Sequence, residues 1–180
     1  NKKMTFTACG DCFINRRLPD KNEDFLKVSS FINKAEARFA NLETTVHNDE
    51  GFPSAFSGGT WVKARPAVLE DMKSYGFNLI AWANNHTMDY SYGGLEATAK
   101  YLNQYGFVHA GVGMNLAEAS KPVYLDCPSG RVALIAAVSS FHESAIAGEQ
   151  RRDIQGRPGV NPLRFSETYV ISPEKMKQLK

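Results

Sequence analysis

The sequence predicts an α/β fold with a mixed sheet, and three observations carry that expectation. Short apolar runs of strand length alternate with segments whose apolar residues recur at helical spacing. Polar residues able to coordinate or hydrogen-bond stand directly after several of those runs, where a parallel sheet places its ligand-binding edge. Two later runs, Pro122 to Asp126 and Arg131 to Ser139, are joined by Cys127-Pro128-Ser129-Gly130, whose composition is that of a hairpin.

The length of 180 residues suits one domain spanning 1–180, enough to bury roughly two thirds of its unfolded surface. A formal net charge of +2 without a Lys/Arg stripe argues against a nucleic-acid partner. No apolar run approaches the roughly 18 residues that span a bilayer. The chain opens Asn1-Lys2-Lys3 with no initiator Met, which leads us to expect an upstream segment such as an anchor or leader. Its three cysteines, Cys9, Cys12 and Cys127, are too few for a disulfide framework, and Cys9-x-x-Cys12 at a strand end lacks the further ligands or helix start that zinc or redox chemistry requires.

Taken in order, Met4 to Cys9 alternates as a first strand, and Gly10-Asp11 puts a carboxylate at its end. Gly-Asp is equally a turn dipeptide. Phe25, Val28, Ser29 and Ile32 mark one face of a helix from Glu23 to Lys34. Ala37 to Leu42 reads as the second strand, with Asn41 and Glu43 at its end, although an isolated Glu there also suits a plain surface position. His47 to Trp61 is a long loop rich in Gly, Ser, Asp, Asn and Pro. Its Phe52, Phe56 and Trp61 favour a packed flap over the site mouth, the alternative being that they only pin the loop to the body. Pro66 opens a helix that runs to Gly76 through Leu69, Met72 and Tyr75.

Phe77 to Ala83 is nearly continuous in apolar residues, as a strand covered on both faces would be, and Asn84-Asn85-His86 with Asp89 follows at once. Those residues also read as a turn whose side chains bond their own backbone. Beyond Gly93-Gly94, Leu95 to Tyr105 is helical and Phe107 to Ala110 is a short strand in which His109 serves the structure. Gly111-x-Gly113 is half a dinucleotide fingerprint, weak because Leu116 stands where the third glycine belongs. Asn115 with Glu118 caps a short helix through Ala119. Tyr169 to Ile171 reads as a last strand before Pro173 opens a terminal helix.

Three strand ends thus carry Asp11, Asn41/Glu43 and Asn85/His86, and parallel βα units bring such ends to one edge. Carboxylates, an amide oxygen and an imidazole suit Mn²⁺, Fe, Zn²⁺ or Mg²⁺. Two such ions roughly 4 Å apart could hold a hydroxide for in-line attack on phosphorus. His86 could then protonate the leaving group.

Together, Gly10-Asp11, Ala40-Asn41-Leu42-Glu43, Ala83-Asn84-Asn85-His86 with Asp89 and Gly93-Gly94-Leu95, Gly111-x-Gly113-x-Asn115 with Glu118-Ala119, and Arg157-Pro158-Gly159-Val160 resemble the bacterial capsule-synthesis CapA family. These are poly-γ-glutamate biosynthesis proteins with a calcineurin-like metallophosphatase fold. The resemblance implies a four-layer α/β/β/α sandwich with divalent metal ions held by Asp11, Glu43 and Asn85. It makes His86 the catalytic histidine and Asn41, Asn84 and Asp89 supporting groups. It implies a phosphorylated substrate or an anionic polymer as partner, and an extracytoplasmic, cell-surface or membrane-associated full-length form. Two departures stand out. Phe13 occupies the place where metallophosphatases carry the histidine of Asp-x-His, and the family's His-Trp-Gly segment and later histidines have no counterpart before Lys180. The expectation is the N-terminal part of the domain, with its C-terminal part missing. A non-enzymatic alternative is binding of an anionic polymer through Arg16, Arg17 and the long loop.

Overall fold

A computed structural model describes residues 3–18, 21–57 and 59–178; Asn1, Lys2 and Lys180, on which the expectations about further sequence rest, lie outside them. The first half of the chain forms β1 (Phe6–Cys12), α1 (Glu23–Ile32), β2 (Ala37–Leu42), β3 (Thr45–Val46), β4 (Lys63–Ala64), α2 (Val68–Tyr75) and β5 (Leu79–Ala81). The second half forms α3 (Ser91–Gln104), β6 (Val108–Ala110), β7 (Val112–Gly113), α4 (Leu116–Ala119), β8 (Val123–Cys127), β9 (Gly130–Leu134), β10 (Gly159–Val160) and α5 (Pro173–Gln178).

The main sheet has the order β1-β2-β5-β6, and every pairing in it is parallel. A parallel sheet laid down in one direction, with crossovers of one hand, collects its helices on one face. The core shows this. Ile32 of α1, Leu69 and Met72 of α2, and Leu95 and Leu102 of α3 pack with Ala40, Leu42, Ile80 and Trp82 in one cluster. The alternate residues Ala81 and Ala83, with Ala110, meet Ala136, Val138 and Val160 on the opposite face, where Val123 and Leu134 of the hairpin also pack. β5 is therefore covered on both sides, as its unbroken apolar run requires. The architecture is mixed α/β with a mainly parallel sheet and is compatible with a metallophosphatase-like α/β fold.

Local chemistry explains most boundaries. The side chain of Asn22 accepts from the Phe25 N–H at 2.9 Å, and Glu23 and Asp24 suit the positive end of the helix they open. Gly76 ends α2 at φ 109°, a left-handed conformation that favours glycine. The side chain of Asn115 accepts from the Glu118 N–H at 2.9 Å, while Glu118 reaches back to the Met114 N–H, so this cap forms as its spacing predicts. Gly93 has a packing reason: a Cβ there would lie 2.6 Å from the Glu50 carbonyl oxygen and 2.8 Å from Gly51 Cα, where the long loop crosses the start of α3.

Three expectations need correction. The hairpin of β8 and β9 forms, but as a separate two-stranded sheet, so antiparallel pairing lies outside the main sheet. The run to Ser139 breaks at Leu134, and Val138 instead makes an isolated bridge to Pro162. Tyr169 to Ile171 is no strand. Tyr169 and Val170 are about nine-tenths exposed, and β-branched and aromatic composition makes a strand only where a neighbouring strand and a packed face receive it. The Gly111-x-Gly113 pair cradles no helix of useful length. Gly111 takes φ 105°, and Gly113 is pressed against the Ala119 backbone.

Candidate functional site

Parallel register brings the strand ends together. Asp11 of β1 stands opposite Asn41 of β2, and Asn41 stands opposite Ala81 of β5, so the loop after β5 begins beside both. One extra residue between Ala8 and Asp11 bulges β1, and such a bulge re-aims the side chains that follow it. The Asn41 amide donates to the Asp11 carboxylate at 2.8 Å. The Asn84 amide donates to the Leu42 carbonyl at 2.8 Å and to the Asn41 side-chain oxygen at 3.3 Å, tying the third strand end to the second. Glu43 follows directly on β2, its backbone N–H held by the Cys12 carbonyl at 3.2 Å. Burial and the neighbouring Asp11, to which it is hydrogen-bonded, raise the Glu43 carboxyl above the ordinary range, with His86 pulling the other way.

Both readings of Asn84-Asn85-His86 hold at once. The Asn84 side-chain oxygen accepts the His86 N–H at 3.0 Å, and the Thr87 hydroxyl donates to the Trp82 carbonyl at 2.6 Å, so the segment is a turn bonded to its own backbone. That turn presents His86 to the strand ends. The ring Nδ1 lies 2.8 Å from the Asp89 carboxylate, which also accepts the Val62 N–H at 2.8 Å. With a carboxylate as partner, Nδ1 carries the proton and Nε2 is the nitrogen left without one. Both side chains are buried, and Phe13 meets the His86 ring edge-on with centroids 6.2 Å apart. Phe13 thus takes up space at the site as an apolar neighbour.

The long loop forms a loosely held flap rather than a packed cover, because Phe52, Phe56 and Trp61 are all exposed. Trp61 pins it by donating its indole N–H to the Ser54 carbonyl at 2.8 Å. Phe56 stacks on His142 with centroids 3.8 Å apart and planes 13° from parallel. Between flap and the 140–145 segment lies a cavity of about 240 Å³ that Asn84 and Asn85 also line. The sequence pointed to the flap but gave His142 no place in the site; the faint signal was its position, with Glu143, in a Gly- and Pro-rich stretch like the flap's own.

Residues 5–176 match the family model described as bacterial capsule synthesis protein PGA_cap. The chain belongs to this family. Among curated relatives it is 33% identical to two uncharacterized proteins, y4sH and y4uA, of Sinorhizobium fredii (strain NBRC 101917 / NGR234), over 98% of this chain and 39% of each of them. It is 25% identical to the capsule biosynthesis protein CapA of Bacillus anthracis, over 90% of this chain and 40% of that protein. The chain therefore spans about two fifths of the length of these relatives. Membership of the capsule synthesis family rests on the whole stretch of sequence, not on the site alone.

For a metal, the donor chemistry fits in part. Asp11 and Glu43 bring two carboxyl groups into mutual repulsion, the arrangement a hard divalent cation relieves. Asn41 and Asn84 bond within the protein, while Asn85 lines the adjoining cavity. Among the described residues, no three His, Cys, Asp or Glu side chains are grouped so as to hold a metal ion. Cys9 and Cys12 belong to the core side of β1, and burial pushes the Cys12 thiol up to about 11, so Cys12 offers no thiolate. No described helix is long and apolar enough to cross a membrane.

Proposed function

We propose that this member of the capsule synthesis family carries a metal-dependent hydrolytic site at the ends of β1, β2 and β5, acting on a phosphoester or related bond in capsule or poly-γ-glutamate production outside the cytoplasm. The observation that supports it is the Asp11–Glu43 carboxyl pair beside a buried histidine whose tautomer Asp89 fixes. Asp11, Glu43 and Asn85 would hold the metal. When bound, the ion supplies Lewis acidity and a water that deprotonates near neutral pH. His86 would hold or deliver a proton at Nε2, with its ring held by Asp89. Asn41 and Asn84 would keep the carboxylate and the turn in register.

The polymer-binding alternative rests on Arg16, Arg17 and the long loop. Arg17 is engaged elsewhere: its guanidinium bonds Asp71 at 2.8 Å and lies 3.0 Å from Glu70. That takes one of the two arginines from the polymer-binding reading and favours the hydrolytic one. The test uses the full-length protein, assayed for bound metal by elemental analysis and for phosphoesterase activity with and without added Mn²⁺, Zn²⁺ or Mg²⁺. The expected outcome is metal-dependent hydrolysis that falls at least about a hundredfold in Asp11→Asn and in His86→Ala, the scale on which removal of an acid–base group acts. Activity untouched by both substitutions would sink the reading.

A further inference from the structure

A second cavity lies on the helix side of β1, the edge strand of the main sheet. Its volume of about 520 Å³, against about 240 Å³ for the one beside the flap, is that of a small-molecule site. Cys9 and Cys12 stand three positions apart, a spacing that sends side chains to opposite faces of a regular strand. The extra residue between Ala8 and Asp11 cancels that alternation, and both cysteines pack on the helix-side core. Val28 and Ile32 of α1 and Met72 of α2 complete these walls. The segment after β1 closes the groove with Phe13 and Leu18, and that segment is anchored. The buried Asp71 carboxylate accepts from the Arg17 guanidinium at 2.8 Å and from the Leu18 N–H at 3.1 Å. The groove is therefore built into the fold.

Its lining has a one-sided chemistry. Ten of the twelve lining residues are aliphatic, aromatic or sulfur-bearing, so a polar occupant would lose its water and find almost nothing to bond. Phe13 and Val28 are half exposed, and an apolar occupant would take that surface out of water. Arg16 is the one charged residue in the lining, which among the described residues holds no Asp or Glu. Arg17 is held by Asp71 and Glu70, whereas Arg16 is exposed and makes no ion pair among the described residues. A cationic head would be repelled there. A wholly apolar molecule would gain the walls but nothing from the guanidinium. An apolar chain that ends in an anionic group uses both.

We propose that this groove binds a single-chain amphiphile, its chain laid between β1, α1 and α2 and its anionic head at Arg16. The site draws on no metal and none of the proposed catalytic groups, so it stands or falls separately from the hydrolytic reading.

The test is calorimetric titration of the full-length protein, in chelator, with dodecanoate below its micelle concentration and in parallel with dodecylammonium, the same chain with the opposite charge. Dodecanoate is expected to bind about fivefold or more tightly than dodecylammonium, the scale of gaining one exposed ion pair and avoiding one repulsion. Decanoate should bind about tenfold more weakly than dodecanoate, for two methylenes fewer. Arg16→Gln should bring the two head groups within about twofold of each other. Val28→Trp, which fills the groove from an exposed helix position, should weaken dodecanoate at least about tenfold. Leu26→Ala, exposed on the same helix and outside the cavity, should leave binding unchanged and is the folding control. The proposal is overturned if dodecanoate does not bind, as it would not if protein covered the groove in the full-length chain, or if dodecylammonium binds as tightly. It is equally overturned if Arg16→Gln keeps the head-group preference, or if Val28→Trp, with an unfolding midpoint matching Leu26→Ala, binds as the unaltered protein does. Should Val28→Trp fail to fold, the exposed Arg16→Gln decides alone.

Discussion

The two halves of the strand-end site are built on opposite terms. His86 and Asp89 are buried, and the bonds that hold them, to each other, to the Asn84 side chain and to the Val62 backbone, lie within the protein. Asp11 is exposed and Glu43 only half-buried, and the two carboxyl groups share a hydrogen bond that holds only while one of them carries a proton. The buried half is satisfied by the fold. The open half is held in place by β1 and β2, and its two carboxyl groups are left close together with burial and each other opposing charge on Glu43. The contrast predicts that removing Asp89, which holds the buried half together, acts mainly on stability, and that substitutions in the open half act mainly on ligand binding.

The largest effect expected is at Asp89. Replacement by Ala removes the acceptor of two buried donors, His86 Nδ1–H and the Val62 N–H, and loosens the flap where it leaves β4's approach. Stranding buried donors of this kind should reduce stability by about 2–4 kcal/mol. Denaturant unfolding would show this as a lower midpoint with an unchanged slope. A loss below about 0.5 kcal/mol would mean that the buried half is not the structural anchor described.

The difference between the halves also explains what could be read in advance. The strands, the helices and the turn after β5 are local: apolar runs, caps at Asn22 and Asn115, and glycine at a left-handed position write them into short stretches. The bringing together of Asp11, Asn41 and the loop from Asn84 was legible too, because parallel crossovers permit few arrangements. What was not legible depends on distant partners. Nothing near Phe56 announces that its ring will lie on His142, some 86 positions on. Tyr169 to Ile171 had strand composition and no strand to pair with, and the hairpin had the right turn but no signal for which sheet it would join. Likewise Phe13, one residue past Cys12, says only that it is aromatic, whereas the structure places its ring against His86.

A second, smaller effect tests the buried scaffold beside β5 through its pH dependence. His109 Nδ1 accepts the Trp82 indole N–H at 3.0 Å, and its Nε2 faces the Asn103 side-chain oxygen at 3.0 Å, so the ring is neutral with its proton on Nε2. Burial lowers its pKa, and burial together with Lys63 lowers that of His47. A histidine depressed in the fold takes up its proton more readily in the unfolded chain. Stability should therefore be complete above the unfolded value of about 6.5 and should fall as pH drops below it. In His109→Gln the unfolding midpoint should change less between pH 7.5 and pH 5.5 than in the unaltered protein. An identical slope in both would remove His109 from the account and leave His47 to carry it.

The smallest effect, and the one of opposite sign, belongs to the open half. Because the fold raises the Glu43 pKa, the stability linked to this group is present below the unfolded value and is lost as pH rises through the folded one. At neutral pH in chelator the Asp11–Glu43 repulsion is thus a slight burden on the fold. Glu43→Gln keeps the size and removes the charge, so it should leave the metal-free protein equally stable or slightly more so, where most substitutions destabilise. Added Mn²⁺ or Zn²⁺ should raise the melting temperature of the unaltered protein by mass action, and should raise that of Glu43→Gln much less. Melting curves of the two proteins, with and without cation, separate the alternatives. If Glu43→Gln lowered metal-free stability as Asp89→Ala does, the carboxyl pair would be part of the scaffold, and the division between the buried half and the open half would fail.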